Sequence, residues 1–125
     1  MLKNNIPNKI KRPTNINLPK LIGSIKSIID TSYIEYLEWY HEYLRDDGLL
    51  IYCAEDLEER NETFEIATYC PGYILIGDNS GGRGFLMSTQ GTGEIFSSDF
   101  GDLSPDYFLI VSSDFTSWMN SNFKN

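Results

Sequence analysis

The chain has 125 residues, of which 41% are hydrophobic and 22% are charged. This is the composition of one globular domain rather than of a disordered or multidomain chain, and a core of this size needs no disulfide or metal for stability. The longest apolar run, residues 49–54, is six residues, whereas a membrane-spanning helix needs roughly 20. The polar start Lys3-Asn4-Asn5 lacks a secretory apolar stretch, so we expect a cytoplasmic protein with no membrane partner.

Negative charge is concentrated in the middle of the chain. The net charge is −8, and residues 35–65 alone carry eleven Asp and Glu against Arg45 and Arg60, a local charge of −9. Such a field repels nucleic acid, whose binding requires cationic contacts to phosphate, and it can steer a basic protein partner. The alternative, that these carboxylates are simply the solvated faces of helices, stays open.

The N-terminal third predicts a leader and two helices. Residues 1–17 are rich in Asn, Lys and Pro without periodicity, which indicates a weakly ordered leader before a single domain over residues 18–125. Apolar residues at helical spacing over 18–29 predict a first helix. Ser32 and Glu35 form a capping-box pattern. The apolar stripe that follows comprises Tyr33, Leu37, Tyr40 and Leu44 and predicts a second helix up to Asp47-Gly48.

The remaining sequence predicts a sheet with further helices. Residues 49–53 read as a buried strand, and residues 55–68 as one or two short helices anchored by Leu57, Phe64 and Ile66. Strand-like runs at 73–76, 85–87, around 95–96 and at 108–111 predict an antiparallel meander. Ser113 is the expected cap of a last helix, with Phe115, Trp118, Met119 and Phe123 on one face. We therefore predict an α+β domain, a central antiparallel sheet on which helices from both ends of the chain pack.

Short motifs give little support for catalysis. The chain has no Gly-x-Ser-x-Gly, and the glycines at 81, 82 and 84 lead into a strand, so they predict a loop with Gly81 and Gly82 at positive φ rather than a phosphate site. Asp78-Asn79-Ser80 resembles the start of a calcium loop, but Thr89 replaces its last ligand. Cys53 and Cys70 are expected to be reduced and buried, and His41 to be a solvated side chain. We predict no enzyme activity, no metal and no cofactor.

Aromatic residues are more numerous in the second predicted helix than one core-facing stripe can hold. Tyr33, Tyr36, Trp39, Tyr40 and Tyr43 all lie within it. Tyr36, Trp39 or Tyr43 should therefore remain at the edge of the core, beside carboxylates, where aromatic side chains commonly anchor protein interfaces. The alternative is that all five pack inside.

Three segments resemble one known family. They are Leu49-Leu50-Ile51-Tyr52, residues 55–61 (Glu-Asp-Leu-Glu-Glu-Arg-Asn), and residues 69–82, which contain Ile76-Gly77-Asp78 followed by Gly81-Gly82. With the C-terminal Asp114-Phe115-Thr116-Ser117-Trp118-Met119, this pattern resembles the SUKH superfamily over roughly residues 31–123. The resemblance implies an α+β domain that acts as an immunity protein, binding a cognate polymorphic toxin, in many cases a basic nuclease. The alternative is a protein-interaction adaptor without a toxin partner.

The acidic block and the 78–83 loop supply the candidate partner-binding residues. The carboxylates are candidates for steering a partner, and the aromatic residues are candidates for anchoring it. The 78–83 loop is the alternative binding site if the acidic block is not the recognition surface. The candidates are Glu38, Trp39, Glu42, Tyr43, Asp46, Asp47, Glu55, Glu58, Glu59, Asp78, Asn79 and Arg83.

Overall fold

The computed structural model describes residues 31–40, 42–90 and 93–124. The predicted leader, the predicted first helix and His41 lie outside these residues. Four helices and six strands are present in the described part: α1 (Thr31–Trp39), β1 (Tyr43–Leu44), β2 (Leu50–Ile51), α2 (Ala54–Thr63), α3 (Ile66–Tyr69), β3 (Tyr73–Asp78), β4 (Arg83–Ser88), β5 (Ile95–Asp99), β6 (Leu109–Ser112) and α4 (Phe115–Asn120). Two 3-10 turns, Phe100–Asp102 and Pro105–Tyr107, connect β5 to β6.

The strands form one sheet in chain order. Each of the six pairs antiparallel with the next, from β1 at one edge to β6 at the other. Short connections join β1 to β2 and β3 to β4, as antiparallel neighbours allow, whereas β2 and β3 are joined through α2 and α3. The predicted antiparallel meander and the α+β class are confirmed.

Helices cover both faces of the sheet. Gly84 and Phe85 are neighbours in β4, so they face opposite sides. The Phe85 ring lies 5.1 Å from that of Trp118 in α4, whereas a Cβ at Gly84 would lie 2.7 Å from the Phe100 ring. Phe100 in turn stacks at 4.0 Å on Phe64, directly after α2. Hence α4 lies on one face and α2 on the other.

An aromatic cluster joins α1 to α4 on the first face. Tyr33 and Tyr36 of α1 make edge contacts with Phe115 at 5.1 and 5.2 Å. Trp118, fully buried, packs edge-on against Phe123 at 5.0 Å, and its Nε1 donates to the Lys124 carbonyl at 3.0 Å. The structural position predicted for Trp118 is confirmed.

Asn61 substitutes for a missing strand neighbour on the second face. The β3–β4 register shifts between Leu75 and Gly77, and β2 pairs with β3 only at Gly77 and Asp78. The Asn61 amide, buried in α2, donates through Nδ2 to the Leu75 carbonyl at 2.9 Å and accepts from the Leu75 N–H at 2.8 Å. Its Nδ2 also donates to the Leu57 carbonyl. One side chain therefore satisfies both backbone groups of a fully buried residue.

The second predicted helix is shorter in the structure than the sequence predicts. α1 ends at Trp39, and Tyr43–Leu44 form β1, paired with Leu50–Ile51 around a turn that contains Gly48 at φ +99°. The backbone hydrogen bonds that Tyr43–Leu44 form with β2 stabilise an extended conformation, and this tertiary effect overrides the weak helical preference of the segment. Leu44 is 61% exposed rather than part of an apolar stripe, and Ser32 lies inside α1 rather than at its cap.

Three local expectations also need correction. Gly82 has φ +105°, as predicted, but the second left-handed residue of the loop is Ser80 at +60° and not Gly81. Asp114, not Ser113, caps α4, because its Oδ1 accepts from the Ser117 N–H at 2.7 Å. Both cysteines are reduced thiols, but only Cys70 is buried, and Cys53 is half-buried.

Candidate functional site

The carboxylates of residues 35–65 lie at the protein surface. Ten of the eleven are exposed and Glu58 is half-buried. We call this set the acidic surface; it comprises Glu35, Glu38, Glu42, Asp46, Asp47, Glu55, Asp56, Glu58, Glu59, Glu62 and Glu65. The exposure agrees with a solvated or a partner-facing role and by itself does not choose between them.

One helix contributes a continuous acidic face. In α2, Leu57 and Asn61 are buried one turn apart, which orients the opposite side of the helix to solvent. Four carboxylates lie at helical spacing away from the buried pair: Glu55, Glu58, Glu59 and Glu62. Asp56, in the first turn, extends this face towards β1.

The fold brings two parts of the acidic block together. Glu42, just before β1, and Asp56, fourteen residues later, offer carboxylate oxygens that lie within 4.8 Å of each other and of the Cys53 sulfur. The Cys53 thiol donates to Asp56 Oδ2 at 3.4 Å. Two negative charges this close repel each other, so the site has a strongly negative potential that a cation would relieve.

The two arginines of the block are each held by a carboxylate. Arg45 binds Asp47 with two contacts of 2.9 Å and also donates to the carbonyl of Asn122. Arg60 binds Glu59 at 2.7 and 2.8 Å. Hydrogen bonds from Arg60 and Thr63 lower the pKa of Glu59 to about 2. Asp47 and Glu59 therefore stabilise local structure, and the net charge of the surface stays negative.

Two of the three predicted edge aromatics lie in the core. Tyr36 is 1% and Tyr43 is 7% exposed, so the expectation that either remains at the surface is wrong. Burial raises the pKa of the Tyr43 hydroxyl, which stays neutral at pH 7. Trp39 is half-buried at the end of α1, and of these three it alone is not buried.

Sequence reasoning missed an exposed aromatic beside the acidic surface. Tyr69, at the end of α3, is 51% exposed and follows Glu65 by four residues. The helix α3 is only four residues long; it buries Ile66 and ends at Tyr69, whose side chain stays outside the core. Glu65, at φ +54°, separates α3 from α2, and no sequence motif predicts this break.

The alternative loop site is built mainly from internal contacts. Asp78 is 9% exposed and accepts from the Tyr52 hydroxyl at 2.6 Å and from the Ser80 N–H at 2.8 Å. Asn79 Oδ1 accepts from the backbone N–H groups of Gly81 and Arg83. Both side chains therefore hold the loop, and Asn79 and Arg83 also line a cleft.

Comparisons with known proteins give no family assignment. A scan of protein-family models finds no match to the chain, and a search of curated proteins finds none. Among the described residues, no helix is both long and apolar enough to cross a membrane. The SUKH resemblance is thus a prediction from the sequence alone.

Proposed function

We propose that this chain is an immunity protein that binds a cognate basic toxin domain, a nuclease, in the cytoplasm of the producing bacterium and neutralises it. The proposal combines the SUKH resemblance with one structural observation. Glu42 and Asp56 approach within 4.8 Å and continue into the acidic face of α2, so the carboxylates form a surface rather than a scatter of charges.

Charge explains how such a surface neutralises a nuclease. A nuclease binds its substrate through cationic contacts to phosphate. A protein that presents clustered carboxylates attracts that same cationic face, accelerates encounter and occupies the substrate site. Arg45 and Arg60, which are held by Asp47 and Glu59, offset only two of the eleven carboxylates, so the field towards a partner stays strongly negative.

Short-range affinity needs apolar anchors beside the charges. Trp39 lies next to Glu38, and Tyr69 follows Glu65 by four residues. Partly exposed aromatics of this kind supply most of the binding energy in many interfaces, while surrounding charges set rate and specificity. We assign anchoring to Trp39 and Tyr69 and steering to the carboxylates.

Co-expression with the neighbouring toxin gene tests the proposal. The C-terminal domain of a large secreted toxin encoded beside this chain is expressed in a bacterial host, and the wild-type chain should restore growth. The triple variant Glu38→Lys, Glu42→Lys, Glu58→Lys should lose this protection, because it reverses three charges of the acidic surface. The variant should still fold, because none of these side chains makes an internal hydrogen bond or ion pair in the described part of the chain.

A charge-matched control separates location from total charge. The variant Glu94→Lys, Asp102→Lys, Asp106→Lys also changes the net charge from −8 to −2, but it alters residues outside the acidic surface. It should protect as the wild type does. Equal protection by both triple variants would contradict the assigned surface, and failure of the wild-type chain to protect would contradict the function.

A further inference from the structure

A donor-rich cleft lies between the sheet and the C-terminal end of the chain. It has a volume of about 640 Å³ and is formed by β4, β5, β6 and the C-terminal end of the chain around α4. Its polar lining includes Arg83, Ser97, Ser117 and Lys124, and its apolar lining includes Phe85 and Leu109. None of the described residues that line it is an Asp or a Glu, although the chain has 18.

Two cations that no carboxylate holds within the described part of the chain lie together in the cleft. The described residues contain four Lys and Arg side chains. Arg45 and Arg60 form ion pairs, whereas Arg83 and Lys124 have no carboxylate partner within the described residues, and both line the cleft. Arg83 and Lys124 therefore give this cleft a local positive charge in a protein of net charge −8.

The cleft has side-chain donors that lack an acceptor among the described residues. Arg83 donates one N–H to the Ser97 hydroxyl at 3.1 Å, which leaves most of the guanidinium donors unused. Ser97 is 7% exposed; since its oxygen accepts from Arg83, its own O–H is free to donate into the cleft. Asp99, across the strand pair from Arg83, accepts instead from the Gly101 N–H at 2.7 Å.

We propose that this cleft binds an organic phosphate of nucleotide size. Arg83 and Lys124 supply charge, and Ser97 and Ser117 supply hydroxyl donors from different elements. Donors that approach from several directions suit a tetrahedral anion with three acceptor oxygens better than a planar carboxylate.

The rest of the cleft suits the organic part of the ligand. Phe85 and Leu109 line its apolar side, and Leu109 is 60% exposed. The volume lies within the range of small-molecule sites. The overall negative charge disfavours a polynucleotide, whose many phosphates would meet the acidic field, so a ligand with one phosphate group is the better fit. This proposal does not depend on the toxin-binding function.

Calorimetry and amide NMR titration test the cleft on the wild-type chain, with four probes: adenosine 5′-monophosphate, inorganic phosphate, adenosine and succinate. The monophosphate should bind most tightly, inorganic phosphate more weakly, and adenosine and succinate least, with amide shifts at Arg83 and Ser97. Arg83→Gln, and separately Lys124→Gln, should each weaken monophosphate binding about tenfold or more. Arg60→Gln, which removes a cation outside the cleft, should leave it unchanged.

Three results would overturn the proposal. The first is no binding of either phosphate at millimolar concentration, and the second is tighter binding of succinate than of the monophosphate. The third is equal affinity in the wild type, Arg83→Gln and Lys124→Gln, with thermal unfolding showing that all three are folded. None of these results bears on toxin neutralisation, which is measured without these ligands.

Discussion

Asn61→Ala tests whether one side chain replaces a strand neighbour. The wild-type amide pairs with both the N–H and the carbonyl of Leu75, and Leu75 is fully buried. Alanine leaves both groups without a partner, at about 1–3 kcal/mol each. The higher helix propensity of alanine offsets at most about 0.7 kcal/mol of this loss in stability. The free energy of unfolding should therefore fall by about 1–5 kcal/mol.

Urea unfolding followed by circular dichroism measures this loss, with Asn120→Ala as the control. Asn120 is exposed in α4, so its replacement should change the free energy of unfolding by less than about 0.5 kcal/mol. Hydrogen exchange gives a second readout, because the Leu75 amide should exchange faster in Asn61→Ala. A variant within about 0.5 kcal/mol of the wild type, with unchanged Leu75 exchange, would refute the reasoning.

Asn61→Asp adds a test with a defined pH dependence. The carboxylate keeps an acceptor for the Leu75 N–H but faces the carbonyls of Leu57 and Leu75, to which the amide now donates. Only the protonated acid can donate, so its pKa in the folded state should rise. The variant should lose stability as the pH rises above about 4, the ordinary pKa of Asp. A pH-independent loss would contradict this account.

Three further predictions concern packing, backbone conformation and acid stability. Trp118→Ala should lower the free energy of unfolding by about 3–5 kcal/mol, measured by urea unfolding, because Trp118 packs on Phe85 and is fully buried; near-wild-type stability would contradict its core role. Gly82→Val should lower the melting temperature, at a cost of about 1 kcal/mol or more, because φ is +105°; an unchanged melting curve would count against it. Glu59 has a folded pKa of about 2, below the ordinary 4.5, so its contribution is present above pH 4.5 and is lost as the pH falls towards 2. The wild type should lose more stability than Glu59→Gln over that range, and parallel acid titrations would refute the role of Arg60.

Strong local patterns account for the parts of the fold that could be predicted. Alternating or continuous apolar runs identified β2 to β6, and turn residues placed the loops between them, which was enough for the antiparallel meander. β1 was missed because Tyr43 and Leu44 continue the helical spacing of α1, and a two-residue strand has no period of its own. Its partner in β2 decides its conformation, and pairing is a tertiary effect.

The candidate site was predictable in charge but not in geometry. Composition placed the carboxylates on the surface, and their exposure bears this out. The approach of Glu42 to Asp56 depends on the hairpin between them, and the burial of Tyr43 depends on the same hairpin. The cleft with Arg83 and Lys124 joins residues 41 positions apart, which no local pattern can report.

The association rate with the toxin domain tests the central claim most directly. Stopped-flow fluorescence would follow binding of the neighbouring toxin's C-terminal domain to the wild type, to Glu38→Lys, Glu42→Lys, Glu58→Lys, and to the charge-matched Glu94→Lys, Asp102→Lys, Asp106→Lys, at several salt concentrations. Steering by the acidic surface predicts a rate that falls steeply with salt for the wild type and the control, and a slow, nearly salt-independent rate for the first triple variant. Equal rates and equal salt dependence for all three proteins would contradict recognition by the acidic surface.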